Sequence, residues 1–321
     1  MTHLIRACLA ALLLTTAAGA SLAQAQYPNK PIRFIVPFPP GGGTDIVARA
    51  ITNRLSENLG VQIIVDNRGG AGGTLGIAAA ATAAPDGYTL MIGQTSNLAI
   101  GPALYEKLPY DTFRDFTPIS MVYEAPLAVT VSSRSTIKSV KELIAVSKSK
   151  QGGLNFASPG NGTVAHLTGE LIKKTTGMSF VHIPYKGAAQ AIPDLIAGRA
   201  DFYISSLESA KPHMQSGTIR ALAVTSVKRA PDAPEIETIA EAGYKGFEAV
   251  TWWGILAPAK TPAPIINRLA AEIGKVLDHP EVTKRLPGPK ADTSPAFFAE
   301  KLKIDHKKWA QAVKESGAKV N

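Results

Sequence analysis

Cysteine is nearly absent: one residue, Cys8, in a chain of 321. A single thiol excludes a disulfide scaffold, a Cys-type zinc module and a CxxC redox pair. Histidine is scarce as well, and His182, His213, His279 and His306 show neither H-x3-H nor Cys/His ligand spacing, so no metal is expected. Past the first 25 residues no apolar run approaches the roughly 20 residues of a membrane span. Basic residues outnumber acidic ones, 34 to 25, but they form no block. This distribution describes a solvated basic surface that attracts small anions and not a nucleic-acid footprint. What is present is an ordinary globular composition, 45% hydrophobic and 18% charged. The length suits about two domains of roughly 150 residues each.

The N-terminal 25 residues read as an export signal. A short basic start ending at Arg6 precedes an apolar stretch over residues 7–20, and Ala23, Gln24 and Ala25 form a small-x-small cleavage pattern. Cys8 precedes most of the apolar stretch, which argues against a lipid anchor. Cleavage after Ala25 leaves an exported chain without cysteine, and a bacterial periplasm is the expected compartment.

Downstream, strand-like and helix-like segments alternate. Residues 32–37 read as a buried strand, and Val47, Ile51 and Leu55 give one face of a helix that stops at Gly60. Strands at 61–65 and 88–93 flank an Ala-rich helix. A second set begins after Pro126, with strands at 127–131, 154–157, 180–183, 201–205 and 219–225 and helices at 139–147, 163–176 and 188–197. A strand at 250–257 returns to the first set, and helices at 265–277 and 295–315 follow. The rhythm predicts an α/β protein with two doubly wound units and a cleft between them. Trp252 and Trp253 lie on the returning strand, where core packing at a hinge is the first reading and cleft lining the second.

Three loops carry candidate chemistry. The first strand runs into Phe38, two prolines, Gly41, Gly42 and Gly43, and then Thr44 and Asp45, which can cap a helix. Ligands bind open α/β sheets beyond the carboxyl ends of strands, and a glycine-rich helix start offers free N–H groups to an anion. Gln94, Thr95, Ser96 and Asn97 follow the third strand on the same rim, with short hydroxyl and amide side chains that can donate to a carboxylate, while Ser96 or Asn97 can instead cap a helix. In the second set, Ser158, Gly160 and Thr163 form a matching loop, with His166 one turn into the helix. Nucleotide loops do not fit. No Lys follows the second Gly of a P-loop pattern, and the G-x-G-x-x-x-G at 70–76 has no acid at the end of the next strand. Ser158 lacks the first glycine of a nucleophile elbow, because Phe156 stands there.

Several of these runs resemble one family in order and along nearly all of the exported chain. They are residues 27–32 (YPNKPI), 37–45 (PFPPGGGTD), 66–74 (DNRGGAGGT), 85–88 (PDGY), 158–167 (SPGNGTVAHL), 184–187 (PYKG), 221–225 (ALAVT) and Trp253-Gly254. The chain resembles the Bug-type periplasmic solute receptors of tripartite tricarboxylate transporters. It departs from their usual pattern at Gly69, at Gln190-Ala191 and at residues 203–205. The last two departures lie near the second rim and bear on ligand identity.

The resemblance implies a two-lobed periplasmic-binding-protein, or Venus flytrap, fold closing on a small organic carboxylate. Residues 26–125 plus 250–321 would form lobe 1 and 126–249 lobe 2, with crossing strands near 125–127 and 248–251. Lobe 1 would hold a carboxylate with Phe38, Gly42, Gly43, Thr44, Asp45, Thr95, Ser96 and Asn97, through amides, hydroxyls and ordered water. Lobe 2 would add Ser158, Gly160, Thr163, His166, Lys186, Gly187 and Asp201. No cofactor or catalysis is implied. The expected partners are the ligand and the membrane permease subunits, with a monomer as the default. Two alternatives stay open: an exported hydrolase using Ser158 and His166, and a sensory carboxylate receptor.

Overall fold

The computed structural model describes residues 27–288 and 292–316; the export signal and its cleavage point lie outside them. Ile32–Val36 (β1) is flanked in parallel by Ile63–Asn67 (β2) and Thr89–Gln94 (β3). Gly43–Leu59 (α1) connects β1 to β2. Val47, Ile51 and Leu55, at one face of this helix, are fully buried, and Gly60, at φ 68°, ends it by returning its N–H to Ser56 and Glu57 carbonyls. Thr74–Ala81 (α2) crosses from β2 to β3.

After a π-helical turn at Ser96–Ile100 and the short helix Gly101–Leu104 (α3), the chain enters the long strand Phe116–Ser132 (β4). The second set comprises Val140–Ser149 (α4), Leu154–Ser158 (β5), Val164–Thr176 (α5), Phe180–Pro184 (β6), Ala188–Ile196 (α6), Phe202–Ser206 (β7), Leu207–Gln215 (α7) and Ile219–Val224 (β8). The chain returns through Val250–Pro258 (β9) and ends in Ala263–Leu277 (α8), Pro280–Arg285 (α9) and Pro295–Ser316 (α10).

The strand order is β2-β1-β3-β9-β4-β7-β5-β6, with β8 also on β4. The two parallel sets therefore meet through β4. Its first part, Phe116 to Pro126, pairs antiparallel with β9, and its last part, from Leu127 onward, pairs with β7 and β8. Thr225 ties the passages between the sets. Its Oγ1 accepts from the Leu127 amide (2.8 Å) and donates to the Ala249 carbonyl (2.5 Å).

Each set has its own core, one around Phe34, Ile51 and Trp253 and one around Tyr203, Leu195 and Ile192. A third cluster runs through both, in which Phe298, Leu302 and Trp309 of α10 join Phe156 and Leu167 of the second set. The C-terminal helix thus packs across the join as well as on the first set. Among the described residues no helix is long and apolar enough to cross a membrane.

Candidate functional site

The parallel strands of both sets aim their carboxyl ends at one gap, and the helices that follow them start there. The lining of the cavity in this gap includes Gly42 to Thr44 at the start of α1, Thr163 to Ala165 at the start of α5, Gly187 and Ala188 at the start of α6, and Ser206 and Ser209 in the first turn of α7. Four helix N-termini therefore converge. Each helix start has N–H groups without an intrahelical partner and roughly half a positive charge. The cavity is small, ≈ 50 Å³ for the centre of a water-sized sphere. Phe38, Leu127, Pro159 and Trp253 supply apolar wall, and Gln94, Ser96 and Thr251 supply polar wall. Among the described residues, none that line it carries a charge.

The polar wall is internally wired. Thr44 Oγ1 donates to Gln94 Oε1 (2.8 Å) and accepts from the indole N–H of Trp253 (3.1 Å). Gln94 Nε2 donates in turn to Ser96 Oγ (3.3 Å). Ser96 Oγ also accepts from the Val164 amide of the second set (3.1 Å), and the Gly43 amide donates to Ser209 Oγ (2.7 Å). The two rims are therefore in direct contact. Fixed donors around an uncharged wall make an arrangement suited to an anion without a fixed counter-charge.

Of the residues anticipated from sequence, Phe38, Gly42, Gly43, Thr44, Ser96, Thr163 and Gly187 line this cavity. Gly160 and Lys186 line a neighbouring recess with Gly70 to Gly73, which shares Phe38 and Pro159 with the cavity. Five others brace the walls. Asp45 is buried but turned from the cavity, and accepts from the Gly41 amide (3.0 Å), Arg49 Nε (3.0 Å) and Asn67 Nδ2 (2.9 Å). Burial alone would raise its pKa; the Arg49 bond, the Gly41 amide and Asn67 outweigh that and hold it below the ordinary carboxylate value. Thr95 Oγ1 accepts from the Trp252 amide (3.0 Å), and Asn97 Oδ1 from the Gln94 amide (3.0 Å).

Ser158 Oγ meets His182 Nε2 at 2.7 Å, not His166. His166 Nδ1 accepts from the Gly162 amide (3.3 Å), and its ring stacks on His182 at 4.2 Å. Burial lowers the His166 pKa to about 4. Burial, with His166 as neighbour, lowers that of His182 to about 3. Both are neutral near pH 7. Asp201 is not brought to the cavity. It precedes β7 at the end of the sheet away from the cleft, pairs with Lys150 (2.8 Å) and accepts from the Asn155 amide (2.7 Å). Ser158, His166 and Asp201 therefore form no nucleophilic triad.

Sequence reasoning passed over Ser206, Ser209 and Thr251, whereas Gln94, the first residue of the 94–97 run it marked, does line the cavity. The two serines open α7, a helix that the sequence pattern does not announce. Both readings of the tryptophan pair hold: Trp252 is core, donating to Asp305 Oδ2 (2.5 Å), and Trp253 lines the cavity.

Comparison with known proteins places these features. A family model described as "Tripartite tricarboxylate transporter family receptor" matches residues 47–311. Protein BugT of Bordetella pertussis is 36% identical over 328 residues, covering 100% of this chain and 99% of BugT. A structure described as R. palustris Rpa4515 with adipate superposes with TM-score 0.88 at 33% identity, covering 92% of this chain and 100% of the other. MatC from Rhodopseudomonas palustris with bound malate superposes with TM-score 0.83 at 31% identity, covering 89% and 100%. The fold is that of the two-lobed periplasmic binding proteins.

Proposed function

The chain belongs to the tripartite tricarboxylate transporter receptor family, whose members are periplasmic solute-binding receptors and not enzymes, and on that premise we propose that it holds a small organic carboxylate between its lobes and delivers it to the membrane permease of such a transporter. The observation that carries this reading is the convergence of four helix N-termini on a cavity lined without charge. A carboxylate seated there would replace lost water bonds with helix-start amides and with the hydroxyls of Thr44, Ser96, Thr163, Ser206 and Ser209. Contact with both rims would make the ligand favour the closed arrangement by its differential affinity for it. Adipate and malate in the related structures support the ligand class.

On this reading lobe 1 comprises residues 26–125 and 250–321 and lobe 2 residues 126–249, in keeping with the change of partner along β4 at Pro126 and Leu127. The chain is exported after cleavage behind Ala25 and works as a monomer. Phe38, Gly42, Gly43, Thr44, Ser96, Thr163 and Gly187 form the binding wall, with Lys186 and Gly160 at its margin. Asp45, Thr95, Asn97, Ser158 and His166 hold that wall in place.

A thermal-shift panel of mono-, di- and tricarboxylates with neutral and cationic controls tests this reading. A ligand at 100 times its dissociation constant adds about 2.7 kcal/mol, or a shift near 5–10 °C in a chain of this size. Shifts confined to a few acids are expected. Shifts with cationic compounds and none with acids would overturn the reading. Loss of growth on the matching acid after deletion of the gene would separate transport from sensing.

A further inference from the structure

Glycine at position 43 has no local cause. It is the first residue of α1, its backbone torsions lie outside the left-handed region, and alanine is the better helix former there. The cause lies across the cleft. A Cβ on Gly43 would fall far inside contact distance of Ser206 Oγ, 3.0 Å from Ser209 Oγ and 3.3 Å from Ser206 Cβ. Its neighbour Gly42 shows the contrast: a Cβ there would meet only the Pro39 carbonyl, at 3.8 Å. Without a side chain, the Gly43 amide approaches α7 closely enough to donate to Ser209 Oγ (2.7 Å), and Ser206 and Ser209 are bonded to each other (3.0 Å). Gly43 and Ser209 are both buried in this contact. The other glycines that face the opposite lobe at this join, Gly72, Gly160, Gly162 and Gly187, have φ of 64°, 145°, 72° and 149°, so their own backbones already favour glycine. Only at position 43 is the facing lobe the sole reason.

We propose that Gly43, Ser206 and Ser209 form a clasp between the lobes, and that this clasp sets the closed fraction of the receptor and therefore how firmly it retains its ligand. The inference rests on the receptor reading above. Serine on α7 recognises the start of α1 directly, so a side chain at position 43 acts as a wedge. If only a fraction of the molecules can close, the apparent dissociation constant rises by the reciprocal of that fraction.

The exported chain has no cysteine, so spin labels can be placed at Ile64→Cys on β2 and Val181→Cys on β6. Both side chains are exposed, at 49% and 55%, and they lie in opposite lobes. Gly43→Ala is expected to lengthen the label-to-label distance and to raise the dissociation constants for adipate, malate and citrate, where wild type binds them, at least tenfold. Adding Ser206→Gly removes the wedge's partner and should return both readouts toward wild type. Ser206→Leu, with Gly43 intact, should open the lobes from the other side and covers the case in which Gly43→Ala folds poorly. A wild-type distance in both Gly43→Ala and Ser206→Leu would overturn the clasp, as would opening by Gly43→Ala that Ser206→Gly leaves unchanged. Failure of wild type to bind any acid would instead count against the receptor reading, and the distances would still report on the clasp.

Discussion

The two lobes meet on two faces, and the faces use different chemistry. At the cavity they meet through an uncharged seam of amides, glycines and hydroxyls: Gly43 with Ser209, Ser96 with Val164, and Tyr105 Oη with the Asn161 carbonyl (3.2 Å). Behind the crossing strands they meet through charge. Tyr123, stacked on Trp253 at 5.8 Å, donates to the buried carboxylate of Glu208 (2.9 Å), which also takes Lys211 (3.2 Å). Lys308 reaches Glu248 (3.6 Å) and Lys174 reaches Glu315 (3.7 Å) across the same side, and within the first lobe Lys301 bridges Glu124 (3.3 Å) and Asp305 (3.2 Å). A fixed cation in the front seam would draw a protein carboxylate or hold a ligand too firmly, whereas helix ends give a positive potential that no side chain can cancel by moving.

The largest expected effect breaks the charged side. Asp305→Ala leaves the Trp252 indole N–H and Lys301 without their buried acceptor, and should cost about 3–4 kcal/mol in chemical denaturation. A loss below about 0.5 kcal/mol would mean that the Lys301–Asp305–Trp252 network behind the strands contributes nothing to stability.

A smaller effect comes from the histidine pair beside the neutral seam. The His166 pKa is about 4 in the folded chain, below its ordinary value near 6.5. Between those values the unfolded chain binds a proton that the folded chain refuses. The contribution is complete above pH 6.5 and erodes as pH falls toward 4, at roughly 1 kcal/mol per pH unit for this group. Melting temperatures from pH 7 to 4.5 should fall more steeply in wild type than in His166→Asn. Parallel curves would show that the ring titrates normally.

The smallest effects compare a neutral donor with a charged one. Ser96→Ala removes the acceptor for the Val164 amide and should weaken ligand binding about fivefold, the worth of one neutral hydrogen bond. Lys186→Met, at an exposed position outside the cavity, should change it less than about threefold. The reverse order would place the ligand's charge at Lys186 and not at the helix ends.

The alternating elements were legible because their signals are local: the buried face of α1, the glycine at its end, and the cap Thr163, whose hydroxyl accepts from the His166 amide at 3.3 Å. Several elements were not, the four-residue α3 among them. Residues 116–124, with Pro118 among them, gave no strand signal ahead of the crossing strand expected near 125–127, yet residues 116–126 form the β4 half that pairs with β9. Helix α7 contains Pro212 within nine residues, and α9 spans only six; neither is long enough to show a period. The site was legible as loops but not as atoms. Residues 38–45 and 158–166 stood out by their glycines, whereas Asp45, Ser158 and His166 proved to be braces and Asp201 lies on the wrong end of its strand. Side-chain direction within a loop depends on partners far away in sequence, such as Asn67 for Asp45 or His182 for Ser158.

Composition and periodicity by themselves determined an α/β chain in two sets, free of cysteine chemistry and with glycine-rich helix starts suited to an anion, because propensity, capping and burial act over a few residues. The closure of those starts into one uncharged cavity, the serines of α7 that face Gly43, and the charged contact behind the crossing strands were decided only in three dimensions. Each brings together residues on separate strands and helices, and only packing sets which atoms meet.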